Sequence, residues 1–197
     1  MKKSTLILSL GLAVLGLSAF TSAKENKGEK HTSVIEWVGS KVIGSDHTGT
    51  ISIKNSDLEF KDGVLTGGSV VADMTSITCT DLEGEWNAKL VGHLNSDDFF
   101  STDKFTTSTI KITKVTPAKE ANTYNVVADL TIKGITNSQS FMATVKPDGK
   151  HHIVTAKLNI DRTKYNVKYN SNSYFESLGD KAISDEFSLN VTLHTAK

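Results

Sequence analysis

Six histidines, one cysteine and one arginine are the side chains from which this 197-residue chain would have to build a reactive centre. Their spacings do not assemble one: there is no HExxH pair, no GxSxG elbow, no CxxC pair and no phosphate loop. His47, His93 and His151 sit beside glycines or polar residues at spacings that match no metal signature, so each reads as structural or exposed. His47 and His93 have a second reading, as neutral imidazoles at the mouth of a pocket, where they would hydrogen-bond a ligand head group. Cys79 has no intrachain partner; it reads as a half-buried small residue, with an intermolecular disulfide, and hence a homodimer, as the sharper alternative. Arg162 is the only arginine among 22 basic residues, which marks a place that needs the planar five-donor fork, either for an internal carboxylate or for an anionic ligand group. Asp97 and Asp98 are adjacent and read as turn acceptors, not as the facing pair that acid–base hydrolysis requires.

Apolar side chains are the richer resource. Trp37, Trp86, Phe99, Phe100, Phe105, Tyr174 and Phe187 read as core residues, several of them as candidates to line a cavity together with Leu90, Leu130, Phe141 and Ile160. What must position them is legible from periodicity. Thr123 to Lys133 carries Tyr124, Val126, Ala128, Leu130 and Ile132 on one face and mostly polar residues on the other, a period of two. At about 3.3 Å per residue such a strand is about 36 Å long, far above the usual length. If walls that tall close on themselves, they enclose an apolar interior that its own side chains need not fill.

Further strands are expected from Val34, around Gly49 to Ile53, and over Val64 to Met74, with a bulge or bend at Gly67-Gly68. Beyond them a meander runs over Thr109 to Val115, Thr123 to Lys133, Ser140 to Lys146 and His151 to Asp161, and a last strand over Asp185 to Thr195. Pro117, then Gly134 with Asn137, then Pro147-Asp148-Gly149 supply the turns, and short loops imply antiparallel neighbours. Between the third and fourth strands the period changes. Thr80-Asp81-Leu82-Glu83 matches a capping box, and Leu82, Trp86, Leu90 and Leu94 place an apolar stripe on a helix that would cap the barrel. Ser173 to Leu178 reads as one or two helical turns stopped by Gly179. The fold class is therefore all-β: one domain of about eight antiparallel strands closed as a barrel, with one capping α-helix.

Residues 1–23 read as a secretory signal, with Lys2 and Lys3 before an apolar run from Leu6 to Phe20 and small residues up to Ala23. Residues 24–32 are polar and aperiodic, a leader to a domain over 33–197. The basic and acidic residues are equal in number, 22 each, and no basic run could track a phosphate backbone, which argues against nucleic acid as a partner.

An ordered series of motifs adds to this reading. Trp37-Val-Gly-Ser-Lys, His47-Thr-Gly, Gly67-Gly68, Ala72-Asp73-Met74-Thr-Ser-Ile77 and Gly92-His93-Leu94-Asn-Ser-Asp97-Asp98-Phe99-Phe100 come first. Leu130-Thr-Ile-Lys-Gly-Ile-Thr136, Ile160-Asp161-Arg162-Thr-Lys-Tyr165, Leu178-Gly-Asp-Lys-Ala-Ile183 and Asp185-Glu-Phe187 follow. In this order they resemble the YceI-like family over Ser33 to Thr195. The resemblance implies an extended lipocalin-like antiparallel barrel, exported in many members, holding a long apolar molecule such as a polyisoprenoid or a fatty-acid-like chain.

The expected function is thus that of a periplasmic carrier for a long apolar lipid, touching membranes transiently, with no metal or cofactor. Each buried methylene contributes about 0.8 kcal/mol, so non-directional contacts suffice for tight binding. Two readings from other classes stand beside it: an enzyme acting on such a lipid through His47, His93 or Arg162, and a carbohydrate-binding β-sandwich, in which the helix from Thr80 to Leu94 would be hard to place.

Overall fold

The computed structural model describes residues 32–196, with the side chain of residue 196 left aside; the expected signal segment and nearly all of the leader lie outside the described residues. Eight strands run in chain order: β1 (Val34–Lys41), β2 (Asp46–Lys61), β3 (Val64–Asp73), β4 (Thr107–Pro117), β5 (Thr123–Ile132), β6 (Ile135–Asp148), β7 (His151–Asp161) and β8 (Ile183–Ala196). Each pairs antiparallel with its sequence neighbour, and β1 pairs with β8 to close the barrel. Closure leaves no edge strand to be protected and rules out the β-sandwich alternative.

The β5 pattern shows how the sequence builds the wall. Tyr124, Val126, Ala128, Leu130 and Ile132 are all buried and face inward, while Asn125 and Asp129 face water. The same alternation puts Phe187, Leu189, Val191 and Leu193 of β8 against the interior. Several strands outgrow their expected bounds, β2 and β6 by the most: β2 is 16 residues long and β6 is 14. A strand of that length must bend, and β2 does so where its register against β3 slips, between Ile53 and Asn55 and again between Glu59 and Phe60. The second slip lies beside Gly67-Gly68, the expected bend. At Gly68 φ is +122°, and a Cβ would stand 2.3 Å from the Asp57 carbonyl oxygen, so only glycine fits. Asn137 belongs to β6 instead of its turn: Lys133 and Gly134 alone, both at positive φ, make the β5–β6 hairpin.

Two connections at one end, β3 to β4 and β7 to β8, are long, and the rest are short. β3 leads through a 3₁₀ turn (Met74–Ser76) and an irregular segment to α1 (Gly84–Asn95). That segment docks along β2: the Thr78 N–H donates to the Thr50 carbonyl and the Thr80 N–H to that of Thr48, while Ser76 Oγ accepts from the Ser52 N–H. Gly49 makes the close approach possible, because a Cβ there would lie 1.8 Å from the Thr78 carbonyl oxygen.

The helix starts later than its capping-box motif suggests. Glu83 is the N-cap and its side chain makes no cap bond, while the Thr80 hydroxyl, the cap of the expected box, is engaged with Thr48. The half-buried stripe is Asn87, Leu90, Val91 and Leu94, with Asn87 Nδ2 donating to the Cys79 and Leu82 carbonyls. Trp86, expected in that stripe, is exposed. A spacing of four overshoots the helical turn, so positions four apart drift round the surface and Trp86 in the first turn rotates out. The connection from β7 to β8, residues 162–182, opens with a 3₁₀ turn (Arg162–Tyr165); Ser173 to Leu178 forms turns and no helix, and one 3₁₀ turn follows at Gly179–Lys181.

Candidate functional site

Two adjoining chambers that share wall residues lie inside the barrel. The larger is lined from nearly every strand, from Leu58, Leu65, Val154 and Leu193 at one end to Ile35, Phe100 and Phe187 at the other. It contains about 1000 Å³ of space not filled by atoms, counting its opening to solvent, and room for the centres of water-sized spheres over about 120 Å³. A single water needs about 10–15 Å³ on the latter measure, so roughly ten water-sized positions are available. Only Ser108 and Thr109 bring polar side chains to this wall. Such a chamber gives water few hydrogen bonds and takes up hydrocarbon on area alone.

The smaller chamber, about 550 Å³ on the first measure, lies at the end that carries α1. Trp37, Phe99, Ile77 and Leu94 line it, with Arg162 and Glu186 as its charged members. Ile51, Phe100, Phe187 and Leu189 belong to both chambers. The Phe100 and Phe187 rings meet edge to face with centroids 6.2 Å apart, a partition between the two spaces. At the far end Phe60 stacks on His152, centroids 4.3 Å apart, within the cluster that floors the larger chamber.

Arg162 is 4% exposed and its donors are spent on backbone. Nε donates to the Ser184 carbonyl at 2.8 Å, one terminal nitrogen to the Val167 and Tyr169 carbonyls at 2.9 Å each, and the other to the Ile183 carbonyl at 3.0 Å. Asp185 faces the guanidinium at 3.6 Å, an ion pair longer than a hydrogen bond. Burial pulls the Arg162 pKa down, and the Asp185 and Asp161 carboxylates oppose that. The fork therefore ties the β7–β8 connection to the start of β8.

His47 and His93 lie at the same end but line neither chamber. His47 Nδ1 is 2.7 Å from Asp81, whose carboxylate also accepts from the Thr48 N–H and the Cys79 thiol. Burial pushes the Asp81 pKa up, but these donors outweigh it and hold it at about 2. Cys79 is buried beneath this group. His93 Nε2 is 3.2 Å from Asp98, and its ring packs edge-on against Phe99 and Tyr169, joining α1 to the β7–β8 connection.

The sequence candidates thus divide. Phe100, Leu130, Phe141 and Phe187 line the larger chamber, and Trp37, Phe99 and Arg162 the smaller. Leu90, on α1, packs against the cluster of Trp37 and Met74, Ile160 is fully buried between strands, and the Phe105 ring lies beside Gly134. Tyr174 is exposed. Most of the wall was missed: aliphatic residues such as Ile110, Ile112, Val126, Ala143, Ala156 and Val191. Strand parity was the available signal, since once one inward residue is known the alternation fixes the rest. His152 shares the parity of Val154 and Leu158 and could have been placed in the same way.

Comparison with known proteins follows this geometry. Solved structures with the same fold include Burkholderia cenocepacia BcnA, with a TM-score of 0.67 at 20% identity over 83% of this chain and 96% of that one. A polyisoprenoid binding domain from Saccharophagus degradans, implicated in plant cell wall breakdown, aligns with a TM-score of 0.61 at 16% identity, covering 84% of this chain and 94% of its own. The Campylobacter jejuni YCEI protein aligns with a TM-score of 0.58 at 16% identity, over 100% of this chain and 99% of that one. Among curated relatives, a UPF0312 protein of Staphylococcus aureus (strain USA300) is 41% identical over 87 residues, 40% of this chain and 46% of the relative. The chain thus spans about half the length of the curated relatives it matches. A model of the YceI-like domain matches residues 27–195, and with the closed eight-stranded barrel already described, the chain belongs to the YceI-like family.

Proposed function

We propose that this protein binds a long apolar lipid, a polyisoprenoid or fatty-acid-like chain, inside its barrel, and that it acts as an exported periplasmic carrier between envelope membranes. The observation that carries the reading is the continuous apolar lining of the larger chamber, with the partly separate second chamber beyond Phe100 and Phe187. A hydrocarbon tail fills the first space on contact area alone, and the second offers room for a chain end. The fold shared with a polyisoprenoid binding domain adds to it. His47 and His93 are engaged with Asp81 and Asp98 away from the chamber walls, which favours binding over catalysis at the mouth.

The test is titration of the purified protein with a fluorescent isoprenoid and a fluorescent fatty acid in detergent-free buffer. Saturable uptake at one probe per chain, displaced by an unlabelled isoprenoid, is the expected result. Absence of uptake of either probe would sink the proposal.

A further inference from the structure

The apolar surface of this protein is distributed unevenly between its two ends. Of the large exposed apolar side chains among the described residues, Val42, Ile43, Trp86, Ile135, Tyr174 and Phe175 all lie on connections or strand starts at the helix-bearing end; Met142 lies on the wall, and Val64 alone at the far end. Trp86 is 70% exposed, Ile43 65% and Phe175 50%. The far end is turned by Lys61-Asp62-Gly63, by 118–122 with Lys119 and Glu120, and by Gly149-Lys150, which are polar.

Hydrogen bonds join the three apolar tips. The Val42 N–H donates to the Ala182 carbonyl, binding the β1–β2 turn to the β7–β8 connection that carries Tyr174 and Phe175. On its other side the same hairpin reaches the segment before α1 through His47–Asp81 and Thr48–Thr80, five and six residues ahead of Trp86. The smaller chamber, lined by Gly39, Ser40, Ile183 and Ser184 of this hairpin and β8, lies at this end as well.

The geometry points to a bilayer-docking face made of Ile43, Trp86 and Phe175, with Val42 and Tyr174 beside them, through which the barrel meets a phospholipid surface. It rests on the carrier reading, because a chain that leaves an apolar chamber for a membrane avoids water only if that end touches the membrane. Two features favour lipid over a protein partner. The anchors project from three tips, two of which carry an adjacent apolar pair, which suits insertion into a fluid, whereas a protein interface needs one packed patch. Each ring with a polar handle also carries a lysine: Lys89 Nζ, which is ion-paired with Glu85 at 2.7 Å, stands 4.8 Å from the centre of the Trp86 ring, and Lys168 Nζ 4.3 Å from that of Tyr174. An aromatic ring at the headgroup boundary with an ammonium beside it is the arrangement that interfaces select. Glu83, Glu85, Glu176 and Asp180 lie near the same tips, so apolar insertion, more than net charge, supplies the affinity.

Flotation with vesicles of phosphatidylethanolamine and phosphatidylglycerol tests this. The unaltered protein is expected to float, with a blue shift in tryptophan emission. Ile43→Ser, Trp86→Ser and Phe175→Ser combined should reduce vesicle binding by at least about a hundredfold, from about tenfold per large apolar group, while Val64→Ser with Met142→Ser should leave it unchanged. Melting temperature confirms that both variants fold. The face is overturned if the unaltered protein does not float, if the triple variant floats equally, or if the unaltered protein is a dimer in solution that the triple variant dissociates. Probe uptake without vesicles, retained by the triple variant, is read separately, and its absence in the unaltered protein counts against the carrier reading while flotation still decides the face.

Discussion

Replacing Ala156 by Phe fills the chamber from the middle of its wall. Ala156 sits on β7 opposite Ala143 of β6 and Val191 of β8, all three lining the larger chamber. The chamber's roughly ten water-sized positions hold a chain of about ten methylenes, worth about 8 kcal/mol gross before the cost of association. A phenyl ring there displaces about four of them and removes about 3 kcal/mol, so the dissociation constant of an isoprenoid or acyl probe should rise about a hundredfold. Stability should move little. Filling a void gains about 1–2 kcal/mol and imperfect fit costs about as much, leaving the melting temperature within a few degrees. Fluorescent-probe titration and calorimetry read the two quantities independently. An unchanged dissociation constant in a variant with unchanged melting would refute the reasoning, since the ligand would then not occupy this chamber.

The other predictions concern the supports of the site. Arg162→Lys strands buried carbonyls of Val167, Tyr169, Ile183 and Ser184, so it should cost about 3 kcal/mol in urea denaturation with probe affinity in the folded fraction nearly unchanged. Gly49→Ala drives a Cβ into the Thr78 carbonyl and should unseat the segment that leads to α1, lowering stability by about 3 kcal/mol or more in the same assay. Asp81 is held at about 2, below its unfolded value of 3.8, so its carboxylate stabilises the fold above about pH 4 and that contribution is lost as pH falls from 4 towards 2. Asp81→Asn should therefore cost about 1 kcal/mol at neutral pH, discounted for its partial exposure, and the gap between variant and parent should close over that acid window in pH-dependent denaturation.

The barrel itself was legible because its strands are long and alternate strictly. The alternation of β5 and β8 was legible, although parity alone did not say which face turns inward, and β7 lies where its pattern puts it. Strand ends were harder: β2 runs far past Ile53 through a mostly polar stretch in which only Leu58 and Phe60 are apolar, held by pairing to β3 alone. The helix was visible but not its start, since the Thr80 hydroxyl serves a tertiary bond to Thr48 that local spacing cannot reveal. Aromatic residues drew attention as cavity lining, yet Trp86 and Tyr174 face water and small or branched aliphatics form most of the wall. Size alone does not tell a residue that fills a cavity from one that surrounds it. Arg162 stood out by its rarity, and its two readings, structural and ligand-facing, could be separated only by seeing where its donors go.

The central claim is that the barrel holds an apolar lipid, and native mass spectrometry of protein purified gently from an exporting host, followed by solvent extraction, tests it most directly. A stoichiometric adduct that extracts as an isoprenoid or acyl lipid, and that is absent from Ala156→Phe, is the expected result. A protein that flies empty and releases no lipid on extraction, from a host whose envelope contains both classes, would contradict it.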